Sequence, residues 1–302
     1  MCGIVSLYLK NPDWQSRLGA LFEPMLISMT DRGPDSAGFA IYGDVVGEGR
    51  CKLTVRGSMA TDWQSLAELL KTQFNVEWFN NSNVAVFKCD ANQQVAIDAI
   101  QKYGSDELII LSSGQSIEIL KEIGLPATIA KHFNLAEMKG SHIIGHTRMA
   151  TESAVTTLGS HPFTTGSDLC LVHNGSLSNH NSLRRELKRQ GIIFHTENDS
   201  EVAAGYLSWR LSCGDSLDQA LSSALNALDG FYTFAIGSAD GFAVLRDPIS
   251  CKPALLAETD DYVAMASEYQ ALRTLPDIEK ARLWEPEPAK VYVWQQSQSA
   301  FH

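Results

Sequence analysis

The sequence predicts an α+β protein in which helices are layered on antiparallel sheets. Five closely spaced strand candidates follow Gly230, and the Gly and Asp residues between them are typical of antiparallel pairing. Helical patterns cluster between this region and an earlier strand-rich region, which favours segregated layers of helix and sheet. The chain has 302 residues, of which 44% are hydrophobic, so it is long enough to bury a sizeable core.

Apolar spacing predicts the individual elements in order. The start, MCGIVSLYLK, resembles a buried strand, and apolar residues from Leu18 to Met29 recur at helical spacing around Pro24. Strands are predicted at about 39–42, 52–56, 83–88, 107–111, 142–147 and 169–173, and helices at about 179–190, 200–212 and 216–228. WQSLAELLK and QSIEILKEIG are predicted to be helical, and FYTFAIG, GFAVLRD, ALLAE, YVAMASE and KVYVW to be strands.

Charge and motif content exclude several classes of function. The formal net charge is -11, which argues against a nucleic-acid-binding protein with a basic face. No stretch approaches the 18 or so consecutive apolar residues that a membrane span needs, and the start has no secretory signal, so we expect a cytoplasmic protein. No glycine-rich dinucleotide or P-loop motif is present.

The six cysteines contain no C-x-x-C pair, so we predict no metal site and free thiols in a reducing compartment. Cys2 differs from the others because of its position. If Met1 is removed, the new α-amine, with a pKa of about 8, can accept the thiol proton and leave a nucleophilic thiolate. The competing interpretation is a buried structural thiol, and position alone favours it.

Two charged residues suit recognition of an amino acid. Arg148, in GHTRMAT, can hold a carboxylate with two parallel hydrogen bonds, although a surface salt bridge is the commoner fate of an isolated arginine. Asp199, in ENDSE, can hold an ammonium group, although it could equally be a helix N-cap followed by Glu201 in the first turn.

Asn174 and Gly175 follow a predicted strand as His-Asn-Gly. An Asn amide and a Gly N–H can converge on a developing oxyanion, whereas Asn-Gly taken alone favours a simple turn. Together with Cys2, Arg148 and Asp199, these donors describe thiol attack on the side-chain amide of a free amino acid. That reaction is hydrolysis of glutamine or asparagine.

These motifs resemble the class II glutamine amidotransferases, the type with an N-terminal nucleophile. The resemblance runs from Cys2 to about Ala271 and rests on separated motifs in the expected order. It implies that Cys2 is the nucleophile, that Arg148 binds the glutamine carboxylate and that Asp199 reads the α-amino group. It also implies that Asn174 and Gly175 form the oxyanion hole.

Further roles come from the resemblance alone. Arg32, in RGPDSAG, matches the arginine that places the nucleophile, Thr151 matches a hydroxyl residue that assists substrate binding, and His161 belongs to a structural His-Pro pair. Met149 departs from the aromatic residue common after this arginine. The resemblance implies one domain over 2–302 with the αββα sandwich of N-terminal-nucleophile hydrolases, and an inserted β/α segment at about 75–125.

The resemblance also implies that ammonia passes to a synthase site, and the chain has no room for such a domain. We therefore expect a partner synthase subunit, and no cofactor in this chain. Among family members, the chain is most similar to the stand-alone amidotransferase component of glutamate-synthase-like systems, of the kind found in N-methylglutamate synthase, so a flavoprotein partner would fit. The alternatives are a free-standing amidase or γ-glutamyl hydrolase, and a non-enzymatic regulatory or scaffold protein.

Overall fold

The computed structural model describes residues 2–105, 107–150, 155–164 and 166–295. Its strands are β1 Gly3–Leu9, β2 Ser36–Tyr42, β3 Cys51–Arg56, β4 Val76–Asn81, β5 Val84–Cys89, β6 Ile109–Gly114, β7 Ile117–Ile123, β8 His142–Arg148, β9 Cys170–Leu177, β10 Gly230–Ser238, β11 Gly241–Arg246, β12 Leu255–Glu258, β13 Tyr262–Ala266, β14 Arg282–Trp284 and β15 Val291–Gln295. Its helices are α1 Leu18–Ser28, α2 Trp63–Lys71, α3 Gln93–Tyr103, α4 Pro126–His132, α5 His180–Arg189, α6 Asp199–Ser212, α7 Leu217–Ala227 and α8 Tyr269–Leu272.

Two antiparallel sheets face each other at the centre of the molecule. The larger has the order β14-β12-β13-β1-β8-β2-β7, and the smaller has the order β15-β11-β10-β9. Alternate residues of one strand reach opposite layers, as β8 shows: Ile144 lies against Gly237 of β10, while Gly145 lies against Phe22 of α1. The space between the sheets is therefore filled from both sides.

Helices cover the outer faces of both sheets. Helices α1, α4 and α8 pack on the larger sheet and share one buried apolar cluster with its strands and with the inner face of the smaller sheet. Helices α5, α6 and α7 form a second cluster with the outer face of the smaller sheet. The predicted α+β class and the four-layer αββα sandwich are confirmed.

A third sheet, β4-β5-β3-β6, carries α2 and α3 and has its own apolar core. We call residues 51–114 the subdomain. It begins and ends earlier than the expected insertion at 75–125, because β3 pairs with both β5 and β6. Lys52 of β3 joins it to the larger sheet: its buried ammonium donates to Glu118 Oε1 of β7 at 2.9 Å and to Gly43 O at 2.8 Å.

The predicted helix QSIEILKEIG is wrong, because Ile117–Ile123 form strand β7 at the edge of the larger sheet. Ile117, Leu120 and Ile123 fit a helical spacing, but Ile117 and Ile119 also alternate as in a strand. Pairing of β7 with the whole of β2 satisfies the backbone and decides between the two. In the part of the chain that the structure describes, each helix is too short or too polar to cross a membrane.

Candidate active site

The candidate site lies where central strands of the larger sheet and the edge strand β9 of the smaller sheet end. Cys2 precedes β1, and Gly3 pairs with Thr147, so the start of β1 lies beside the end of β8. On the other side of β8, Arg148 pairs with Ser36 at the start of β2. Antiparallel pairing thus brings Cys2 close to Arg148, although the two belong to separate motifs in the sequence.

Cys2 is held through its backbone, and its side chain is half-buried. Its carbonyl oxygen accepts hydrogen bonds from Arg32 Nε at 2.9 Å and Asn174 Nδ2 at 3.1 Å. Its thiol donates to Met149 O at 3.7 Å, and Arg32 is fixed in turn by Glu268 Oε1 at 2.7 Å from Nη1. The backbone of Cys2 therefore keeps a defined place at the start of β1, and the positioning role of Arg32 stays a prediction.

The DRGPDSAG turn supports the end of β8. A Cβ atom on Gly33 would lie 2.3 Å from the carbonyl carbon of Thr147, so only glycine permits this approach. Asp35 then accepts a hydrogen bond from Ala150 N at 2.7 Å through Oδ2. The turn thus fixes the backbone on both sides of Arg148.

Arg148 is the last residue of β8, and its side chain is only 7% exposed. It lines the same cleft as Cys2 and Met149. Its side chain therefore lies in a concave, protected place, and not on the open surface where an isolated arginine usually forms a salt bridge. Thr151, the other predicted substrate-binding residue of this motif, lies outside the described residues.

Asn174 and Gly175 lie within β9, so the alternative that Asn-Gly forms a turn is wrong. They pair with Thr233 and Tyr232 of β10. Gly175 has φ of 149°, and a Cβ atom there would lie 2.0 Å from Phe231 O. The unusual backbone keeps the strand paired while the residue lines the cleft, which a side chain would prevent.

The Asn174 amide has a fixed orientation. Its Oδ1 lies 3.1 Å from His146 Nε2, and its Nδ2 donates to Cys2 O and to Ser267 Oγ at 3.2 Å. Because an amide oxygen is only an acceptor, His146 must donate through Nε2. The donor end of Asn174 is thereby directed toward Cys2.

Three buried histidines lie beneath the site. His161 Nε2 and His173 Nδ1 each lie 2.9 Å from Ser200 Oγ, and the rings of His146 and His161 are 4.0 Å apart. Burial lowers the pKa of His146 to about 3, although its hydrogen bond with Asn174 opposes the shift. Burial also lowers the pKa values of His161 and His173. The cluster is therefore neutral at pH 7. Separately, a cis peptide bond joins His161 to Pro162.

Asp199 begins α6 but does not cap it. The N-cap is Asn198, whose side chain accepts from Ser200 N, and Glu201 is buried against His195 N and Thr196 N at 2.8 Å each. Asp199 Oδ2 accepts from Leu177 N at 2.9 Å, and Oδ1 lies 3.8 Å from His173 Nδ1. Its carboxylate, which also lines the cleft, is thus tied to the end of β9.

One cleft of about 690 Å³ joins these residues. It is lined by a thiol, two arginines, backbone and side-chain amides and a carboxylate, namely Cys2, Arg32, Arg148, Asn174, Gly175 and Asp199, with His161 and Ser200 behind them. The cleft thus offers a nucleophile, anion and cation partners, and oxyanion donors within one space. Such convergence of polar groups in a concave site is typical of an active site.

Comparisons with known proteins decide the family. A model of the glutamine amidotransferase domain matches residues 146–274. The chain is 54% identical over 302 residues to the glutamine amidotransferase-like protein GlxB of Rhizobium meliloti, covering 99% of this chain and 100% of the relative. The chain belongs to the glutamine amidotransferase family. The predicted family is therefore confirmed, while the glutamate-synthase-like assignment within it stays a prediction.

More distant relatives agree with this family and fold. The chain is 33% identical over 192 residues to the amidophosphoribosyltransferase of Methanocaldococcus jannaschii, and this match covers 62% of the chain and 41% of the relative. A solved glutamine phosphoribosylpyrophosphate amidotransferase from B. subtilis superposes with a TM-score of 0.61 at 20% identity, over 99% of this chain and 50% of that one. The chain therefore shares the fold of this solved amidotransferase, in agreement with the predicted four-layer sandwich.

Several residues of the candidate site were missed in the sequence. Ser267 Oγ accepts from Ile4 N at 2.9 Å as well as from Asn174, and Glu268 fixes Arg32. The only signal was a polar Ser-Glu pair directly after the apolar strand β13. Lys252 also lines the cleft, with Nζ 4.9 Å from the centre of the Phe231 ring. Nothing in its local sequence distinguishes it from a surface lysine.

Proposed function

We propose that the protein hydrolyses glutamine to glutamate and ammonia through a thioester on Cys2, after removal of Met1. One observation carries this proposal: Cys2, held by Arg32 and Asn174, opens on a cleft that also contains Arg148, Gly175 and Asp199. Membership of the glutamine amidotransferase family supports it.

In the proposed mechanism, the α-amine of Cys2 takes the thiol proton and the thiolate attacks the carboxamide carbon. An α-amine can take and return a proton near neutral pH, so one residue supplies both the nucleophile and its base. Gly175 N–H donates to the oxygen that gains charge, and Asn174 Nδ2 joins it when one of its N–H groups turns from Cys2 O or Ser267 Oγ to that oxygen. The ammonium returns its proton to the leaving nitrogen, ammonia departs, and water then attacks the thioester to give glutamate and restore the thiol.

The two ends of the amino acid explain the choice of substrate. The guanidinium of Arg148 suits the α-carboxylate, because it presents two parallel N–H donors from a buried position. The Asp199 carboxylate suits the α-ammonium, with Thr151 as the proposed additional contact. A free amino acid carries both charges, whereas a glutamine within a peptide lacks them.

We propose further that the ammonia is passed to a synthase subunit of a glutamate-synthase-like or N-methylglutamate-synthase system. The match covers only 41% of the M. jannaschii amidophosphoribosyltransferase and 32% of a glutamine–fructose-6-phosphate aminotransferase of Pseudomonas putida. In those relatives, the matched region is joined to further chain within one polypeptide. In this protein the ammonia would instead reach an acceptor site on a separate polypeptide.

The glutaminase proposal is tested by intact mass and by glutamate release. We expect a mature mass lower by one methionine and loss of glutamate release in Cys2→Ala. Cys251→Ala is the matched control, since that thiol is exposed and lies outside the cleft. Retention of Met1 in an active protein, or unchanged turnover in Cys2→Ala, would contradict the mechanism.

The partner proposal needs a separate experiment. Affinity capture from the source cell, followed by a glutamine assay of the captured complex, should yield a synthase whose product depends on Cys2. A flavoprotein would support the glutamate-synthase-like assignment. A chain that is recovered alone with full glutaminase turnover would instead favour a free-standing hydrolase.

A further inference from the structure

One wall of the cleft is formed by residues 155–163, which we call the wall segment. Thr156, Gly159 and His161 line the cleft. The segment folds on itself, because Gly159 N donates to Thr156 Oγ1 at 3.0 Å and Ser160 N donates to Thr157 O at 3.2 Å. Its position relative to Arg148 and Asp199 therefore sets the width of the cleft.

A side chain of strand β7 forms hydrogen bonds to the backbone of the wall segment. The buried Lys121 Nζ donates to three carbonyl oxygens of the segment, those of Leu158 at 3.3 Å, Ser160 at 2.7 Å and Pro162 at 3.1 Å. An ammonium group has three N–H donors, so all of its hydrogen-bonding capacity is used here. The wall segment is thus attached to the edge strand of the larger sheet.

The chain that leaves the wall segment is attached to the β6–β7 hairpin. Asp168 accepts four hydrogen bonds from the hairpin turn: from Gln115 N at 2.6 Å, Ser116 N at 2.8 Å, Ser116 Oγ at 2.9 Å and Ile117 N at 3.0 Å. Since β6 belongs to the subdomain and β7 to the larger sheet, this turn is one of the two covalent junctions between them, the other being the β2–β3 connection. The wall segment is consequently fixed at a point where the subdomain joins the sandwich.

Glu122, which follows Lys121 in β7, connects the wall segment directly to the subdomain. Its Oε1 accepts from Thr157 Oγ1 at 2.5 Å. Its Oε2 accepts from Arg56 Nη2 at 3.0 Å, at the end of β3, and from Asn83 Nδ2 at 3.2 Å, in the β4–β5 turn. Burial raises the pKa of Glu122, but the hydrogen bonds from Thr157, Ile123 N, Arg56 and Asn83 outweigh it and leave the pKa below its usual value.

We propose that Glu122 is a positioning residue through which the subdomain sets the wall segment and so the affinity for glutamine. The inference rests on the proposed function, since glutamine is the ligand whose binding it modulates. The Glu122 carboxylate accepts hydrogen bonds from both the subdomain and the wall segment. A change at Arg56 is therefore expected to alter the hydrogen bond between Glu122 and Thr157. Arg56 itself lies outside the cleft.

The test compares Arg56→Gln, Thr157→Val and the double variant of the full chain with Arg50→Gln. Arg50 is the matched control, because it belongs to the same subdomain and pairs with Glu77 at 3.1 Å and Asp90 at 2.8 Å, away from the wall segment. Two quantities are measured: amide hydrogen exchange of peptides covering 155–163, and the kinetics of glutamate release.

We expect Arg56→Gln and Thr157→Val each to speed exchange in the wall segment and to raise the KM for glutamine about three- to tenfold, with kcat within twofold. The double variant should match the stronger single variant, because both changes break one connection. Arg50→Gln should behave as the wild type in both measurements.

Two results would overturn the inference. One is exchange and KM in Arg56→Gln equal to those in Arg50→Gln, and the other is fully additive effects in the double variant. The hydrogen-exchange comparison does not require catalysis. A wild-type protein that releases no glutamate would therefore refute the proposed function, while the exchange data would still decide whether Glu122 couples the subdomain to the wall.

Discussion

Acidification should destabilise the protein through histidines that the fold keeps neutral. His142 and His146 are each 1% exposed, and burial lowers their pKa values to about 4 and about 3. An unfolded histidine has a pKa of about 6.5. Below pH 6.5 the unfolded chain therefore binds protons that the native protein does not bind. Stability is fully present above that pH and is lost as the pH falls toward 4.

The magnitude follows from proton linkage. Between pH 7 and pH 5, each of these histidines should lower the free energy of unfolding by about 2 kcal/mol, because its unfolded form gains a proton and its native form does not. The two together account for about 4 kcal/mol, which is a large share of the 5–15 kcal/mol that is typical of a domain. His161 and His173 act in the same direction.

Urea unfolding at pH 7 and pH 5, followed by far-UV circular dichroism, measures this loss. His142→Gln isolates one histidine, since the amide can still donate to Ser238 O, the 2.9 Å partner of His142 Nε2. The difference in unfolding free energy between the two pH values should shrink by about 2 kcal/mol in this variant. If the variant and the wild type lose the same stability, a neutral buried His142 is not the cause.

Three further predictions concern catalysis. Arg148→Lys should raise the KM for glutamine about tenfold to 100-fold in initial-rate assays, because an ammonium cannot form the two parallel hydrogen bonds of a guanidinium. An unchanged KM would show that Arg148 does not bind the substrate. Asn174→Ala should lower kcat about 10²- to 10³-fold with a smaller change in KM, and equal kcat values would exclude it from the oxyanion hole. Chelation by EDTA should leave glutamate release unchanged, since the proposed steps use only protein groups; a metal-restorable loss would contradict this.

Much of the fold could be predicted because its strands have strong local patterns. The β-branched and aromatic residues of β8, β10 and β11 and the apolar stripes of α1 and α7 match their observed positions to within a few residues. The helix predicted in place of β7 is wrong because the inward residues of this strand include Lys121, and Glu122 also makes tertiary contacts. A buried lysine can be explained only by its acceptors, and these lie in a segment 37 to 41 residues later in the chain.

Some residues of the candidate site could likewise be predicted from the sequence, and others could not. Residues in compact motifs, such as Arg148 and Asn174, could be proposed from sequence because each motif is polar between apolar flanks. The alternative that Asp199 is the N-cap is wrong by one residue, since Asn198 and Asp199 are both good caps and only geometry separates them. Ser267 and Glu268 were not found, because their importance comes from pairing of β13 with β1 and from no motif of their own.

That pairing also sets a timetable for the proposed maturation. Ile4 and Ser267, which bond beside Cys2, are 263 positions apart. At a synthesis rate of about 5–20 residues per second, the partner strand emerges roughly 13–50 seconds after the start of the chain. β13 cannot enclose the first residues during this interval, so removal of Met1 can precede the last strand pairing beside Cys2. The topology that later fixes the nucleophile thus leaves time for it to be made.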